Sequence, residues 1–397
     1  MTKKRKSLLG IIMALVIIFS AIFGNSKVLA AEHNGEITIT GTTEGKNYSI
    51  YKIFDLTQSG EKVSYTIAKD WEAFFRIGAG RGYIVDKNNE EGTLNSIVVG
   101  DTIKYMNITD ENISDFAKAA MSALSNEKII RVAQKNADGE SLTFSGLELG
   151  YYLVHPEGAT KKAENQNSIV SLTSTIPNAE IEVKGIYPTI AKEVVTTKIL
   201  SIGDSIAYEI TGEIPDTTGY YRYIYKITDT LPKGIDFNPD VEEVRIQFKN
   251  LYVSNEKLMD PDIVNIKKDG KIFEISFDML QLQDYVGEEI VIQYLAKLNK
   301  DALFNEPNIN KVTLEYSNDP KDYTKTDTTT DEAKVWTANL IVNKVDGKTK
   351  EPLEGAKFVL KMIDIDGTER FYYYNQETGE VEWIWHIEEE FPDVKGL

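Results

Sequence analysis

The chain is 397 residues long, and its 44 Lys and Arg residues against 62 Asp and Glu residues give it a formal net charge of −18. Such acidity argues against nucleic acid and against an anionic membrane surface as partners. Cysteine is absent, which excludes a Cys nucleophile and the disulfides that stabilise many exported proteins. Beyond the leader predicted next, the length suits two or three domains of roughly 100–200 residues each.

The N-terminus has the pattern of a secretory signal peptide. The basic run Lys3–Lys6 precedes an apolar run, Leu8–Phe23, and the small-residue exit Val28-Leu29-Ala30 follows. This order of basic, apolar and small residues is typical of a cleaved leader. We therefore predict that residues 1–30 are removed and that the protein is exported; the alternative is an uncleaved N-terminal anchor.

The first predicted domain spans residues 31–185 and is mostly β-structure. Alternation predicts strands over Ile37–Thr40 and Tyr48–Phe54, and two more strands around a tight turn within Gly139–Val154. Apolar residues at helical spacing predict one helix between these strand regions, with the following buried face: Ile113, Phe116, Ala117, Ala120, Met121 and Leu124. The segment is interpreted as a β-sandwich with a helix-containing insertion.

The second predicted domain spans residues 186–332 and contains short alternating strands separated by turns. Regular strands without long helices between them favour a sandwich or a barrel. The last stretch of this segment, Lys321–Glu332, is rich in Thr and Asp and has almost no apolar content. It is predicted to be a linker or a long solvated loop.

A third domain is predicted over residues 336–397. About sixty residues are marginal for an independent domain without a covalent staple. We therefore interpret this segment as the truncated start of a longer domain.

Three polar residues of the second segment share the buried parity of a strand with apolar neighbours: Lys192, Asp229 and Asn310. Each could instead sit at a strand end in solvent. If they are buried, the pKa of the lysine falls and that of the aspartate rises, because burial disfavours charge. A neutral amine is a nucleophile, and a protonated carboxyl can polarise an amide carbonyl. The lysine can then displace ammonia from the asparagine and form an isopeptide bond.

The surrounding motifs resemble a known family. The stretches YPTIAKEV, YKITDTLPKGIDF and NKVTLEYSNDP look like the middle domain of the backbone pilins that sortase assembles in Gram-positive bacteria. This resemblance implies that Lys192, Asp229 and Asn310 are the cross-linking lysine, the promoting acid and the acceptor amide.

Two further stretches agree with that resemblance. Phe144–Val154 is similar to the N-terminal pilin domain, and Leu340–Leu360 is similar to the collagen-adhesin B-type repeat. In that repeat Lys344 matches the cross-linking amine, and its partner Asn is expected beyond the chain end. The implied fold is all-β, with tandem immunoglobulin-like and collagen-adhesin-type β-sandwich domains.

The resemblance implies a structural role. The chain is expected to be a subunit of a covalently polymerised fimbria on the cell wall, with other pilin subunits, a sortase and peptidoglycan as partners. No nucleic acid, cofactor or metal is expected.

The sequence departs from the family at the positions that link subunits. Many such pilins carry a YPK motif whose lysine sortase uses, whereas this chain has Tyr187-Pro188-Thr189. The nearest substitute acceptor is Lys184, which alternation places on an exposed face. An LPxTG-type sorting signal, expected to mediate peptidoglycan attachment, is missing, and we interpret the sequence as a fragment.

The sequence contains only poor matches to the motifs of known enzymes. The three histidines, His33, His155 and His386, show no metal-ligand spacing. Two S-x-x-K matches, Ser49–Lys52 and Ser125–Lys128, have no K-T-G companion. The protein is therefore not expected to be a turnover enzyme; any catalysis is limited to its own single cross-linking event.

Two binding alternatives stay open. A minor pilin or stalked adhesin would use similar sandwiches to present a host-binding site, for which the region Asp70–Ala137 has room. The aromatic residues Phe371–Tyr374, Trp383 and Trp385 could form a carbohydrate platform, although such residues more often fill a sandwich core.

Overall fold

The computed structural model describes residues 34–59, 62–126, 128–159, 161–162, 169–172, 176–183, 185–197, 200–237, 244–249, 258, 260–337, 341–355, 359–363, 366–374 and 381–384. The chain folds into two compact units. The first contains the residues up to Tyr187 together with Thr217–Arg222 and Asn318–Lys325, and the second contains Pro188–Asp216, Tyr223–Ser317 and the residues from Thr326 onward.

The first unit combines β-sheets with two short α-helices. Its helices are α1 (Glu72–Ile77) and α2 (Ile113–Ser122). Its strands are β1 (Gly35–Thr40), β2 (Asn47–Ser59), β3 (Lys62–Ile67), β4 (Ile84–Val85), β5 (Ser96–Val99), β6 (Thr102–Met106), β7 (Ala133–Asn136), β8 (Ser141–Leu147), β9 (Gly150–Pro156), β10 (Lys161–Lys162), β11 (Ile169–Leu172), β12 (Asn178–Glu182) and β13 (Gly185–Ile186). The predicted helix and the predicted strand regions are all confirmed.

Two larger sheets organise this unit. One has the order β12-β1-β8, and the other follows β11-β9-β2-β3-β5-β6-β4 with β7 also paired to β2. The predicted strand–turn–strand of Gly139–Val154 therefore divides between the sheets, with β8 on β1 and β9 on β2. The helix α2 buries the predicted apolar face, with Phe116 and Ala120 fully buried, except that Leu124 lies just beyond the helix end and is buried there.

The second unit contains the remaining strands: β14 (Ile190–Val194), β15 (Ser205–Glu213), β16 (Tyr225–Thr230), β17 (Ile235–Phe237), β18 (Arg245–Phe248), β19 (Val264–Asp269), β20 (Ile272–Phe277), β21 (Glu289–Leu298), β22 (Pro307–Ser317), β23 (Thr326–Trp336), β24 (Lys361–Ile363), β25 (Glu369–Tyr374) and β26 (Val381–Ile384). Segments of 3-10 helix also occur at Lys69–Trp71, Arg81–Tyr83 and Met279–Tyr285.

Two five-stranded sheets of this unit enclose a common apolar core. One has the order β14-β15-β21-β17 with β18 also on β21, and the other has the order β19-β20-β16-β22-β23. Their inward residues form one buried cluster that includes Ile210, Ile227, Ile292 and Leu314. The strands β24, β25 and β26 form a separate sheet. The predicted all-β fold class is confirmed.

The predicted linker over Lys321–Glu332 is wrong for most of its length. Residues from Thr326 onward belong to β23, which pairs along its whole length with β22. Its threonines suit a strand because β-branched side chains fit a pleated surface. The strand lies at a sheet edge, and only Ala333 and Val335 are buried. The polar composition reflects this exposure and not an absence of structure.

No helix in the described ranges is long and apolar enough to cross a membrane.

Candidate functional site

The lysine of the predicted cross-link points into the core of the second unit. Lys192 lies at the centre of β14, where alternate residues are buried, and its side chain is 0 % exposed. The backbone at this position is also held by β23, because the amide N–H of Lys192 donates a 2.7 Å hydrogen bond to Oδ2 of Asp331. The β14 strand therefore presents the amine at a fixed position.

The aspartate and the asparagine lie on the opposing sheet, on neighbouring strands. The register of β16 and β22 places Asp229 opposite Val312, so Asn310 is its diagonal neighbour on the same face. Both side chains are fully buried. The fold thus brings an aspartate and an asparagine to the inner face that opposes the lysine's sheet.

A tyrosine hydroxyl connects the three predicted residues. Tyr294 on β21 lies 2.9 Å from Nζ of Lys192 and 3.1 Å from Oδ2 of Asp229, and it accepts a 2.6 Å hydrogen bond from Nδ2 of Asn310. Nζ of Lys192 also donates directly to Oδ2 of Asp229. The three sequence-predicted residues therefore belong to one hydrogen-bonded cluster.

Aromatic rings surround this cluster. Tyr208 pairs with Tyr294 across β15 and β21, and the two rings are stacked with centroids 5.4 Å apart. Nζ of Lys192 lies 4.9 Å from the Tyr208 centroid and 5.0 Å from that of Tyr294. Phe273 is directly opposite Asp229 in the sheet, and its ring lies 4.9 Å from that of Tyr294. The rings exclude water and lower the local dielectric response.

Burial shifts the proton equilibrium of the lysine–aspartate pair toward the neutral form. Desolvation lowers the pKa of Lys192, and the charge of Asp229 only partly opposes this effect. Desolvation likewise raises the pKa of Asp229 against the opposing influence of Lys192. Both shifts favour an uncharged amine beside a protonated carboxyl, which are the states that the proposed chemistry needs.

Two buried oxygens of the cluster lack a hydrogen-bond donor. Oδ1 of Asp229 and Oδ1 of Asn310 are both without a partner among the described residues. Such groups are costly to bury, and a proton on Oδ1 of Asp229 would supply the missing donor. Protonation of Asp229 would turn one of its two carboxyl oxygens from an acceptor into a donor.

The aromatic residues and the strand anchor were not identified from sequence. Tyr208 and Tyr294 occupy the buried parity of β15 and β21, where a hydroxyl needs a polar partner. A buried hydroxyl that needs a polar partner is therefore the sequence feature that could have identified these two tyrosines. Asp331 was overlooked because its segment was interpreted as a linker.

The other predicted site residues lie elsewhere. Lys344 is exposed, and its carbonyl accepts a hydrogen bond from the amide of Leu353. Lys184 lies outside the described residues. Among the S-x-x-K residues, Ser49 donates to Glu157 and Lys52 donates to Glu148, so each has its own carboxylate partner.

A second group of buried charged residues lies in the first unit, and there the hydrogen bonds to Asp319 outweigh the effect of burial on its pKa. The Arg131 guanidinium donates a 2.6 Å hydrogen bond to Asp319 and lies 3.3 Å from Glu157. Burial would raise the pKa of Asp319, but hydrogen bonds from Arg131 and from the amide of Lys321 outweigh it and hold that pKa below its usual value. A carboxylate held ionised in this way stabilises the fold and is not available as an acid.

Comparison with solved structures identifies the fold. The chain resembles the T6 backbone pilin of serotype M6 Streptococcus pyogenes with a TM-score of 0.52 and 19% identity, over 90% of this chain and 75% of that one. The chain has the backbone-pilin fold.

Weaker similarities to other pilins accompany this one. The major pilin SpaD of Corynebacterium diphtheriae matches the chain with a TM-score of 0.39 and 16% identity, over 83% of this chain and 72% of that one. The pilin BcpA of Bacillus cereus matches with a TM-score of 0.37 and 14% identity, over 88% and 84%. No protein-family model matches the sequence, and no curated protein does so either.

Proposed function

We propose that the chain is a structural subunit of a covalently polymerised, cell-wall-attached fimbria, and that its second unit carries an isopeptide bond between Lys192 and Asn310. The observation that carries the cross-link is the buried cluster in which one hydroxyl contacts Lys192, Asp229 and Asn310. The backbone-pilin fold supports the fimbrial role.

The chemistry follows from the protonation states of the pair. Lys192 transfers a proton to Asp229, because burial favours the neutral forms of both. The neutral Nζ attacks Cγ of Asn310, while the protonated carboxyl of Asp229 donates a hydrogen bond to Oδ1. Loss of ammonia then completes a single-turnover modification, and the bond supplies the covalent staple that a chain without cysteine cannot obtain from disulfides.

Intact-mass spectrometry tests the cross-link. The folded protein should weigh one ammonia less than its sequence mass, and a digest should contain one branched peptide joining β14 to β22. Asp229→Ala and Asn310→Ala should each restore the full mass. The exposed Asp301 provides a matched control, and Asp301→Ala should still lose ammonia. A wild-type protein with the full sequence mass after folding would refute the proposal.

The fimbrial role predicts covalent partners. We propose that a sortase joins this chain to other pilin subunits through Lys184 and joins the polymer to peptidoglycan. Protein extracted from the native bacterium should run as a ladder of high-molecular-weight bands on a denaturing gel, and Lys184→Arg should abolish this ladder without altering the fold. A ladder that persists in the Lys184→Arg variant would mean that another lysine is the acceptor. A single band from the wild type favours the alternative, a minor pilin or stalked adhesin that binds a host ligand.

The third segment extends the proposal. We propose that Lys344 is the amine of a second isopeptide bond. Lys344→Ala should then reduce the ammonia loss of the folded protein by one and leave the Lys192–Asn310 bond in place.

A further inference from the structure

The hydroxyl of Tyr294 occupies the point where a proton must pass during the proposed cross-linking. It lies within hydrogen-bond distance of the attacking nitrogen (Lys192 Nζ, 2.9 Å), of the acid (Asp229 Oδ2, 3.1 Å) and of the leaving nitrogen (Asn310 Nδ2, 2.6 Å). Within the described cluster, the carboxylate of Asp229 bonds to Lys192 and Tyr294 and not to the leaving nitrogen. The tyrosine bridges that gap.

The reaction needs a proton at the leaving nitrogen. When neutral Nζ of Lys192 bonds to Cγ of Asn310, the carbonyl electron pair moves to Oδ1 and Nζ becomes positively charged. The amide nitrogen cannot depart as an anion, so a proton must travel from Nζ to Nδ2. A phenol hydroxyl can perform this transfer because it has one proton to give and lone pairs to receive another.

We infer that Tyr294 is a catalytic residue of the cross-linking reaction and that its hydroxyl relays this proton, an inference that rests on the proposed isopeptide bond. Tyr294 takes the proton from Nζ while giving its own to Nδ2. The Cγ–Nδ2 bond then breaks, its electron pair leaves with ammonia, and the carbonyl re-forms. Tyr294 ends as a neutral phenol, and Asp229 remains protonated, so atoms and charge balance.

The surroundings of Tyr294 suit a relay and not a stored phenolate. Burial and the nearby Asp229 raise the pKa of Tyr294 well above its ordinary value. The hydroxyl therefore keeps its proton between transfers, and the receipt of one proton must accompany the release of another. Ring contacts with Tyr208, Phe237 and Phe273 fix the orientation of the ring.

The test measures the rate at which the isopeptide bond forms. The chain is synthesised in a cell-free system, samples are denatured at intervals, and the linked fraction is measured by intact mass. Tyr294→Phe should fold but link more slowly by roughly 10²–10⁴, the usual contribution of acid–base catalysis. The control is Tyr225→Phe, which removes another buried hydroxyl from the same core, one that donates to the carbonyl of Glu213 at 3.2 Å. It should link at the wild-type rate.

Two measurements separate a relay from packing. The wild-type rate should fall in D₂O, and Tyr294→Phe should lose part of this solvent isotope effect. Incorporation of 3-fluorotyrosine at position 294 keeps the ring and hydroxyl but makes the phenol more acidic, so a relay predicts a changed rate even if Tyr294→Phe does not fold. A Tyr294→Phe rate equal to that of Tyr225→Phe, or unchanged isotope and fluorotyrosine results, would overturn the relay while leaving the cross-link intact. Absence of ammonia loss from the wild type would instead overturn the cross-link itself.

Discussion

The hydroxyl of Tyr294 accepts a 2.6 Å hydrogen bond from the side-chain amide of Asn310, although the two residues lie on opposing sheets of the second unit. This contact joins the strand β21 to β22 through the centre of the core, at the position where Lys192 and Asp229 also meet. A polar contact of this kind is stable only in a site whose other groups satisfy one another.

The rate of isopeptide formation should have a bell-shaped pH dependence. The pair must hold one proton, because a doubly protonated pair has no nucleophile and a fully deprotonated pair has no acid. Burial raises the pKa of Asp229 above 3.8 and lowers that of Lys192 below 10.5, so both limbs should fall inside that interval. Timed intact-mass measurements across pH provide the check, on the unlinked chain as it folds. A rate that keeps rising past pH 10.5 would mean that Lys192 is not buried as described.

Loss of the cross-link should lower the stability of the second unit. The proposed bond would close a loop of about 120 residues, which by analogy with disulfides would constrain the unfolded chain by roughly 4–5 kcal/mol. Asn310→Ala should therefore lower the free energy of unfolding by about that amount and shorten the lifetime in protease. The neighbouring Lys311 points to the opposite, exposed face, and Lys311→Ala should behave like the wild type. Equal urea midpoints for the two variants would contradict this prediction.

Mechanical extension of the second unit should be short but not zero. Lys192 lies on the first strand of this unit, whereas Asn310 lies on β22, which is followed by β23 in the chain and in the sheet. Tension through the proposed bond would protect the chain between them, but the hairpin formed by residues 311–336 lies outside the loop that it would close. Full release of this hairpin, which includes the Asn318–Lys325 segment of the first unit, should give at most about 90 Å of extension at ~3.5 Å per residue.

Force spectroscopy can measure this difference, because a chain without cysteine allows unique cysteine handles at the exposed positions Thr189 and Ile341. The wild type should show only the short step. Asn310→Ala should add the extension of the loop between β14 and β22. Identical traces for the two proteins would remove the argument for a load-carrying role.

The helix α2 should be an integral part of the first unit. Phe116 is fully buried, with ring centroids 4.9 Å from Tyr83 and 6.2 Å from Phe75. Phe116→Ala should cost about 3–5 kcal/mol of stability, because it removes aromatic packing and leaves a cavity. Lys118 is exposed on the same helix, and Lys118→Ala is the matched control in a calorimetric comparison. A small effect of Phe116→Ala would mean that α2 is a peripheral insertion.

The sequence by itself determined which side chains face inward. Alternation with a period of two placed Lys192, Asp229 and Asn310 on the apolar side of their strands, and all three are buried. Spacing of three and four residues likewise identified the helix α2 and its buried face. These patterns are local, because the direction of a side chain depends only on the backbone conformation of its own element.

The tertiary structure alone decided which of these inward residues meet. The diagonal placement of Asp229 beside Asn310 depends on the register of β16 and β22, and the position of Tyr294 depends on how two sheets face each other. The polar segment that became β23 is a strand because it pairs with β22. Register, sheet packing and edge pairing come from contacts between residues far apart in sequence, and a local pattern of apolar residues contains no information about such distant partners.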